Sequence, residues 1–162
     1  MERLWTPWRR EFVEGSDKRA GECFLCAIPG EHDDRRNLLL LRAERVFVVL
    51  NRYPYNSGHL MVAPYAHTGD LANLEAPTAD ELMHVTQQSL DVLQHGYQPD
   101  GFNIGMNLGR VAGAGLPDHL HVHVVPRWGG DTNFMPVVAD TKVLPESLDQ
   151  TYDRLEPFFK RS

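Results

Sequence analysis

Apolar and polar positions alternate so as to divide the chain into short strands toward its beginning and end, with one long amphipathic segment between them. Leu38 to Leu41 and Val46 to Leu50 are apolar runs separated by a short connection around Ala43-Glu44, which predicts two adjoining strands. Pro54, Asn56, Ser57 and Gly58 cluster as turn formers, and His59 to Val62 predicts a third strand ending near Pro64. From Thr78 to His95 the spacing becomes helical, with Leu82, Val85, Ser89, Val92 and Leu93 on one face. Thr78 with Glu81 makes a capping-box pattern behind Pro77, and Gly96 stands where the helix should stop. A fourth strand is expected over Phe102 to Met106 and a fifth over His119 to Val125. Leu148, Tyr152, Leu155 and Phe159 give residues 146–162 the pattern of a last helix and tail. Hairpin-length connections with one helical crossover predict an α+β fold, a mostly antiparallel five-stranded sheet with one long helix and a C-terminal helix.

The 162 residues suit one domain over 1–162. Residues 1–22 read as an N-terminal arm whose Trp5, Pro7 and Trp8 pack on the body or on a partner subunit, and Asp33-Asp34 beside Arg35-Arg36 reads as a solvated loop. A formal net charge of −6 argues against a general nucleic-acid binder, which needs a large basic surface, yet leaves room for a local anion site. No apolar stretch approaches the ~20 residues needed to cross a bilayer. Met1 to Val13 carries Glu2, Arg3, Arg9 and Arg10 without an apolar core, so it is not a signal peptide and the cytoplasm is the expected location. In that reducing compartment Cys23 and Cys26 are better read as ligands or redox thiols than as a disulfide.

The fifth strand carries the chemistry. In His119-Leu120-His121-Val122-His123-Val124-Val125 the side-chain period of two puts His119, His121 and His123 on one face and Leu120, Val122 and Val124 in the core. Such a row suits a three-histidine metal site or covalent transfer to an imidazole nitrogen, and the pattern alone chooses neither. Just upstream, Asn107 to Leu116 includes Gly109, Gly113, Ala114 and Gly115, small residues that let backbone N–H groups approach an anion. This loop opens a strand rather than a helix, which disfavours a dinucleotide-binding fold, but beside three histidines it makes a phosphate cradle, with Arg127 as a nearby cation. Cys23-Phe24-Leu25-Cys26 has the C-x-x-C spacing of zinc and redox sites; a redox site needs a helix starting at the pair, and Pro29-Gly30 follows at once.

The full run from His119 to Val125 resembles the defining motif of the histidine triad family. Val46 to His67, with Asn51 and Gly58-His59, resembles the family's ribose-side hairpin. Trp5-Thr6-Pro7-Trp8-Arg9 and Pro126-Arg127-Trp128-Gly129-Gly130-Asp131, with Asn133-Phe134, are similar to its bacterial branch that includes diadenosine tetraphosphate phosphorylases. The resemblance implies a nucleotidyl hydrolase or transferase that cleaves dinucleoside polyphosphates by phosphate or water. His121 would be the nucleophile, His123 a donor to phosphate oxygens, and His59 a histidine orienting the nucleophile's ring. Asn51 would bind ribose, while Asn107 and the backbone of Gly113, Ala114 and Gly115 would hold phosphates. It further implies a structural zinc on Cys23, Cys26, His67 and His119, magnesium accompanying the nucleotide, and a homodimer. Many relatives carry Ser, Thr or Gln before the motif, where this chain has Gly115-Leu116-Pro117-Asp118, leaving only backbone contacts there. Two other readings compete: a zinc-dependent hydrolase using all three strand histidines, and a nucleotide-binding module without catalysis.

Overall fold

The computed structural model describes residues 23–131 and 144–161. The N-terminal arm, Asn133 and Phe134 lie outside the described residues. Helix α1 spans Phe24–Gly30 and helix α2 Asp34–Asn37. Strands β1 (Leu39–Arg42), β2 (Val46–Leu50) and β3 (Leu60–Pro64) follow, then helix α3 (Ala76–Tyr97), strand β4 (Gly101–Gly105), a 3-10 turn at Arg110–Ala112, strand β5 (Val122–Arg127) and helix α4 (Leu148–Phe159). The sheet order is β1-β2-β3-β5-β4, and every neighbouring pair is antiparallel. The α+β class and the five strands are as the sequence predicts. No helix among the described residues is long and apolar enough to cross a membrane.

The register decides which residues share a face. Val49 pairs with Met61, Met61 with His123, and His123 with Gly105, so one cross-strand row runs through all four strands from β2 to β4. The adjacent row places Val48, Val62 and Val122 on the opposite face, where α3 packs across β3, β2 and β5. β2 and β3 are buried along their whole length, which is why they read as continuous apolar runs rather than alternating ones. Helix α4 closes the core with Tyr152, Leu155 and Phe159, its start fixed by a capping box between Ser147 and Gln150. The turn before β3 needs Gly58: its φ is +76°, and a Cβ there would press on Leu93, Tyr97 and Pro126.

Several boundaries differ from the sequence expectation. β5 begins at Val122, so His119 and His121 precede it rather than lying within the strand. Helix α3 starts at Ala76 with Pro77 in its first turn, and Thr78 is already helical. The Glu81 carboxylate accepts from the Arg45 backbone N–H, tying α3 to the β1–β2 turn instead of completing a capping box. Gly96 lies inside the helix, which ends on Gln98 in a left-handed conformation; Leu155 of α4 packs where a Gly96 side chain would stand. A helix does begin at the cysteine pair, with Cys23 as its N-cap, and Pro29, in its last turn, has no N–H to give to the Leu25 carbonyl. The acidic–basic run is helix α2 rather than a loop: Asp33 caps it by accepting from Arg36 N–H, and Arg35 pairs with Asp153 of α4.

Candidate active site

A cavity opens on the sheet face that carries Val49, Met61 and His123. Its apolar wall is Phe24 and Ile28 of α1 with Val49, Leu50 and Met61 of the sheet, and Leu116 closes it from the glycine loop. Its polar wall includes Asn51, Asn107, His121 and His123. One end therefore offers flat apolar surface to a planar group, and the other offers imidazoles and amides to something polar.

Hydrogen bonds settle the tautomers of the histidines. His121 Nδ1 donates to the His119 carbonyl at 2.8 Å, so in the neutral ring the lone pair sits on Nε2. Burial lowers the pKa of His121, which keeps that lone pair available at neutral pH. Tyr55 N–H donates to His59 Nδ1 at 3.0 Å, so neutral His59 carries its proton on Nε2. That nitrogen lies 3.0 Å from His123 Nδ1, which accepts the proton and leaves His123 with Nε2–H as its own donor. The His121 and His123 rings meet edge to face with centroids 4.8 Å apart. One thus presents a lone pair and its neighbour a proton.

The third histidine is turned elsewhere. His119 Nδ1 is 3.2 Å from Cys23 Sγ and 3.4 Å from Cys26 Sγ, and His67 Nδ1 is 3.2 Å from Cys26 Sγ. All four ligand atoms lie within 4.8 Å of one another, which suits a cation. A tetrahedral Cys₂His₂ zinc has S···N edges of about 3.6 Å, close to these separations. His119 Nε2 donates to the Pro64 carbonyl at 2.8 Å, which fixes the ring with Nδ1 toward the sulfurs, as metal-ligating histidines require. Partial desolvation, together with hydrogen bonding and charge from Cys23, pushes the Cys26 thiol up to about 11, a cost that a bound cation reverses. His119, His121 and His123 therefore do not converge on one point, and the arrangement of three strand histidines around a single metal is absent among the described residues.

Other sequence-predicted residues fall into place unevenly. Asn51 lines the cavity, its Oδ1 accepting from Tyr53 N–H and its amide 3.5 Å from His59 Nε2. Asn107, Gly113 and Gly115 also line it, whereas Ala114 does not. The cradle is less open than expected: Gly113 N–H bonds to the Arg110 carbonyl and Ala114 N–H to the Gly109 carbonyl, closing the 3-10 turn on itself. His59 bonds to His123 rather than to the ring of His121, because the pairing of Met61 with His123 brings the turn before β3 alongside that residue. Arg127 is not a free cation beside His121; it lies farther along β5, held by Asp131 and Asn103. Sequence reasoning missed Phe24 and Ile28, although their spacing of four is a helix-face signal, and it missed Tyr55, whose backbone role leaves no trace in side-chain type.

Comparison with known proteins agrees with this arrangement. The HIT domain family model matches residues 34–130, more than half of the chain. The AP-4-A phosphorylase of Mycobacterium tuberculosis is 43% identical over 158 residues, covering 93% of this chain and 80% of the relative. A Zn-bound histidine triad family protein from Mycobacterium smegmatis superposes with a TM-score of 0.68 at 25% identity, over 86% of this chain and 94% of the other. A hypothetical histidine triad nucleotide-binding protein from Sulfolobus tokodaii gives 0.66 at 26% identity, over 86% and 90%. A half-apolar cavity with two histidines of opposite polarity, and a family match spanning the sheet that holds them, lead to one conclusion: the chain belongs to the HIT domain family.

Proposed function

We propose that the chain cleaves dinucleoside polyphosphates, diadenosine tetraphosphate above all, by transferring a nucleotidyl group to His121 and from there to phosphate or water. The observation that carries this reading is the pair of fixed tautomers, His121 with its Nε2 lone pair and His123 with its Nε2 proton, side by side in one cavity. His121 attacks the α-phosphorus in line, and His123 donates to the phosphate oxygens as charge moves onto the leaving group. The apolar wall takes the base, and Asn51 the ribose. The AP-4-A phosphorylase name of the Mycobacterium tuberculosis relative supports the substrate class and favours phosphate over water as acceptor.

Cys23, Cys26, His67 and His119 would hold a zinc ion with no open coordination position, tying α1 to the approach to β5. The chemistry that ion supplies is structural. The Zn-bound Mycobacterium smegmatis neighbour supports zinc over other cations. Magnesium on the polyphosphate, a homodimer and a cytoplasmic setting complete the reading.

Incubation with diadenosine tetraphosphate, with and without orthophosphate, tests it. ADP plus ATP in phosphate marks phosphorolysis, and AMP plus ATP marks hydrolysis. His121→Ala is expected to bind nucleotide while losing at least ~10³-fold in turnover. Cleavage by that variant at the wild-type rate overturns the mechanism.

A further inference from the structure

Toward the β1 margin of the sheet one side chain interrupts the apolar wall of the cavity. Asn37, the last residue of α2, is 5% exposed and lines the cavity together with Phe24, Ile28, Val49 and Leu50. The carbonyl of its neighbour Leu38 accepts from Leu50 N–H at 3.0 Å, which places Asn37 beside the start of β1, three strand steps from His123. At ~4.8 Å per step that separation is roughly 14 Å.

A buried carboxamide costs free energy unless its donors and acceptor find partners. Asn37 Nδ2 donates to Glu31 Oε2 at 3.1 Å, and its backbone N–H donates to the Asp33 carbonyl at 3.1 Å. An ionised carboxylate only accepts, so Glu31 decides which way round the amide stands, with the NH₂ toward Glu31 and Oδ1 turned from it. Among the described residues nothing donates to Asn37 Oδ1, and it is not sealed in protein as the buried Ser57 Oγ is. Oδ1 is left as an acceptor open to the cavity.

The backbone fixes the place of this amide. Leu38 has φ 59° and ψ 29°, a left-handed conformation that a residue with a Cβ adopts only under compulsion. Its side chain is buried, its N–H bonds to the Asp34 and Arg35 carbonyls, and its own carbonyl is held by Leu50. The chain thereby reverses from α2 into β1 at a single residue, and Asn37 is the one immediately before the reversal.

Hydrogen-bond polarity says what such an acceptor reads. With the ribose at Asn51 and the base against Phe24 and Ile28, the purine edge remote from the sugar carries position 6. Adenine has an amino donor there, whereas guanine, like hypoxanthine, has a carbonyl acceptor. Asn37 Oδ1 pairs with the first and sets lone pair against lone pair with the second, at a site where an unpaired polar group is costly.

We propose that Asn37 is the specificity-determining residue at the base end of the cavity, its Oδ1 selecting 6-amino over 6-oxo purines, with Glu31 as the positioning residue that orients it. The proposal rests on the nucleotide reading of the cavity given above.

The experiment measures AMP and IMP binding by titration calorimetry, and cleavage of diadenosine and diinosine tetraphosphates, for wild type, Asn37→Leu and Glu31→Ala. Wild type is expected to favour adenine at least ~10-fold in both affinity and kcat/KM. Asn37→Leu should weaken AMP and strengthen IMP, bringing the ratio within ~3-fold of one. Glu31→Ala frees the amide to turn its NH₂ inward, so IMP affinity should rise while AMP affinity falls, a gain that structural damage does not produce. A wild-type ratio near one, or a ratio that Asn37→Leu leaves unchanged, overturns the proposal. Equal losses of AMP and IMP in both variants overturn it as well. Adenine-selective binding by a wild-type protein that cleaves neither dinucleotide supports the base reading and brings down the proposed reaction instead.

Discussion

At the scale of single residues the site works by deciding where protons are. A backbone N–H at Tyr55 determines the tautomer of His59, which determines that of His123; the carbonyl of His119 does the same for His121. His59 is 1% exposed, so water does not compete for its bonds. His59→Ala removes the proton that His123 Nδ1 accepts and lets that ring adopt the other tautomer. Turnover should fall by about 10- to 100-fold with a much smaller change in nucleotide KM, and steady-state kinetics with His59→Gln, which can still donate, should recover part of the loss. The pH dependence follows from His121. Its pKa is pushed below 6.5 by burial, so the ring is neutral and nucleophilic above that lowered value and loses activity as pH falls through it. The acid limb of kcat/KM should therefore lie below pH 6.5. A limb at or above that value would place the titrating group elsewhere.

Among the elements, α1 bears on the site and could not stand alone. It has seven residues, no side-chain cap at its start, and a proline near its end. Buried Leu25 and Ile28 and the two cysteine sulfurs hold it, while Phe24 and Ile28 form part of the cavity wall. Removing the proposed metal with a chelator, or replacing Cys26 with Ser, should loosen that wall while leaving His121 and His123 in place. Nucleotide KM is expected to rise by about 10-fold or more, with kcat falling less, together with a lower Tm. Unchanged KM in a metal-free protein would separate the two roles of the helix. The helix also shows why part of the site escaped the sequence. The alternation of three histidines marked the candidate site because strand periodicity is local. The wall is built from a short segment whose helical signal Pro29 and Gly30 interrupt, and whose stability comes from His67 and His119, distant in sequence. In the same way Arg127 was legible as a cation but not as the partner of Asp131 and Asn103, because pairing depends on register. Thr78 and Gly96 had the residue types of a helix's ends, and packing against β1–β2 and α4 moved those ends outward.

In the whole molecule, the sheet carries His123 while loops at one end fasten the four candidate metal ligands to it. Gly69, two residues after His67, lies directly under the loop that leads into His119, and a Cβ there would run into the Pro117 carbonyl oxygen and crowd Asp118. Leu120 N–H also bonds to the Thr68 carbonyl at 2.7 Å, so these two loops are clasped on both sides of His119. Gly69→Ala should cost about 1–3 kcal/mol, because backbone rather than a flexible side chain must give way. For a chain of this length that corresponds to a fall in Tm of roughly 2–12 °C, measurable by calorimetry, and the loss should be smaller in metal-free protein, where the clasp has less to hold.

Helix α1 has one more consequence. Its Phe24 and Ile28 touch the apolar end of the cavity, and none of the cavity's histidines belongs to it. The wall and the cavity's histidines are thus separable parts. On the proposed function, exchange of residues 24 and 28 retunes which base is accepted while the transfer step is inherited unchanged, provided that both cysteines are kept. In a lineage under selection for new nucleotides, the four candidate metal ligands are then the constraint, and the wall beside them is free to vary.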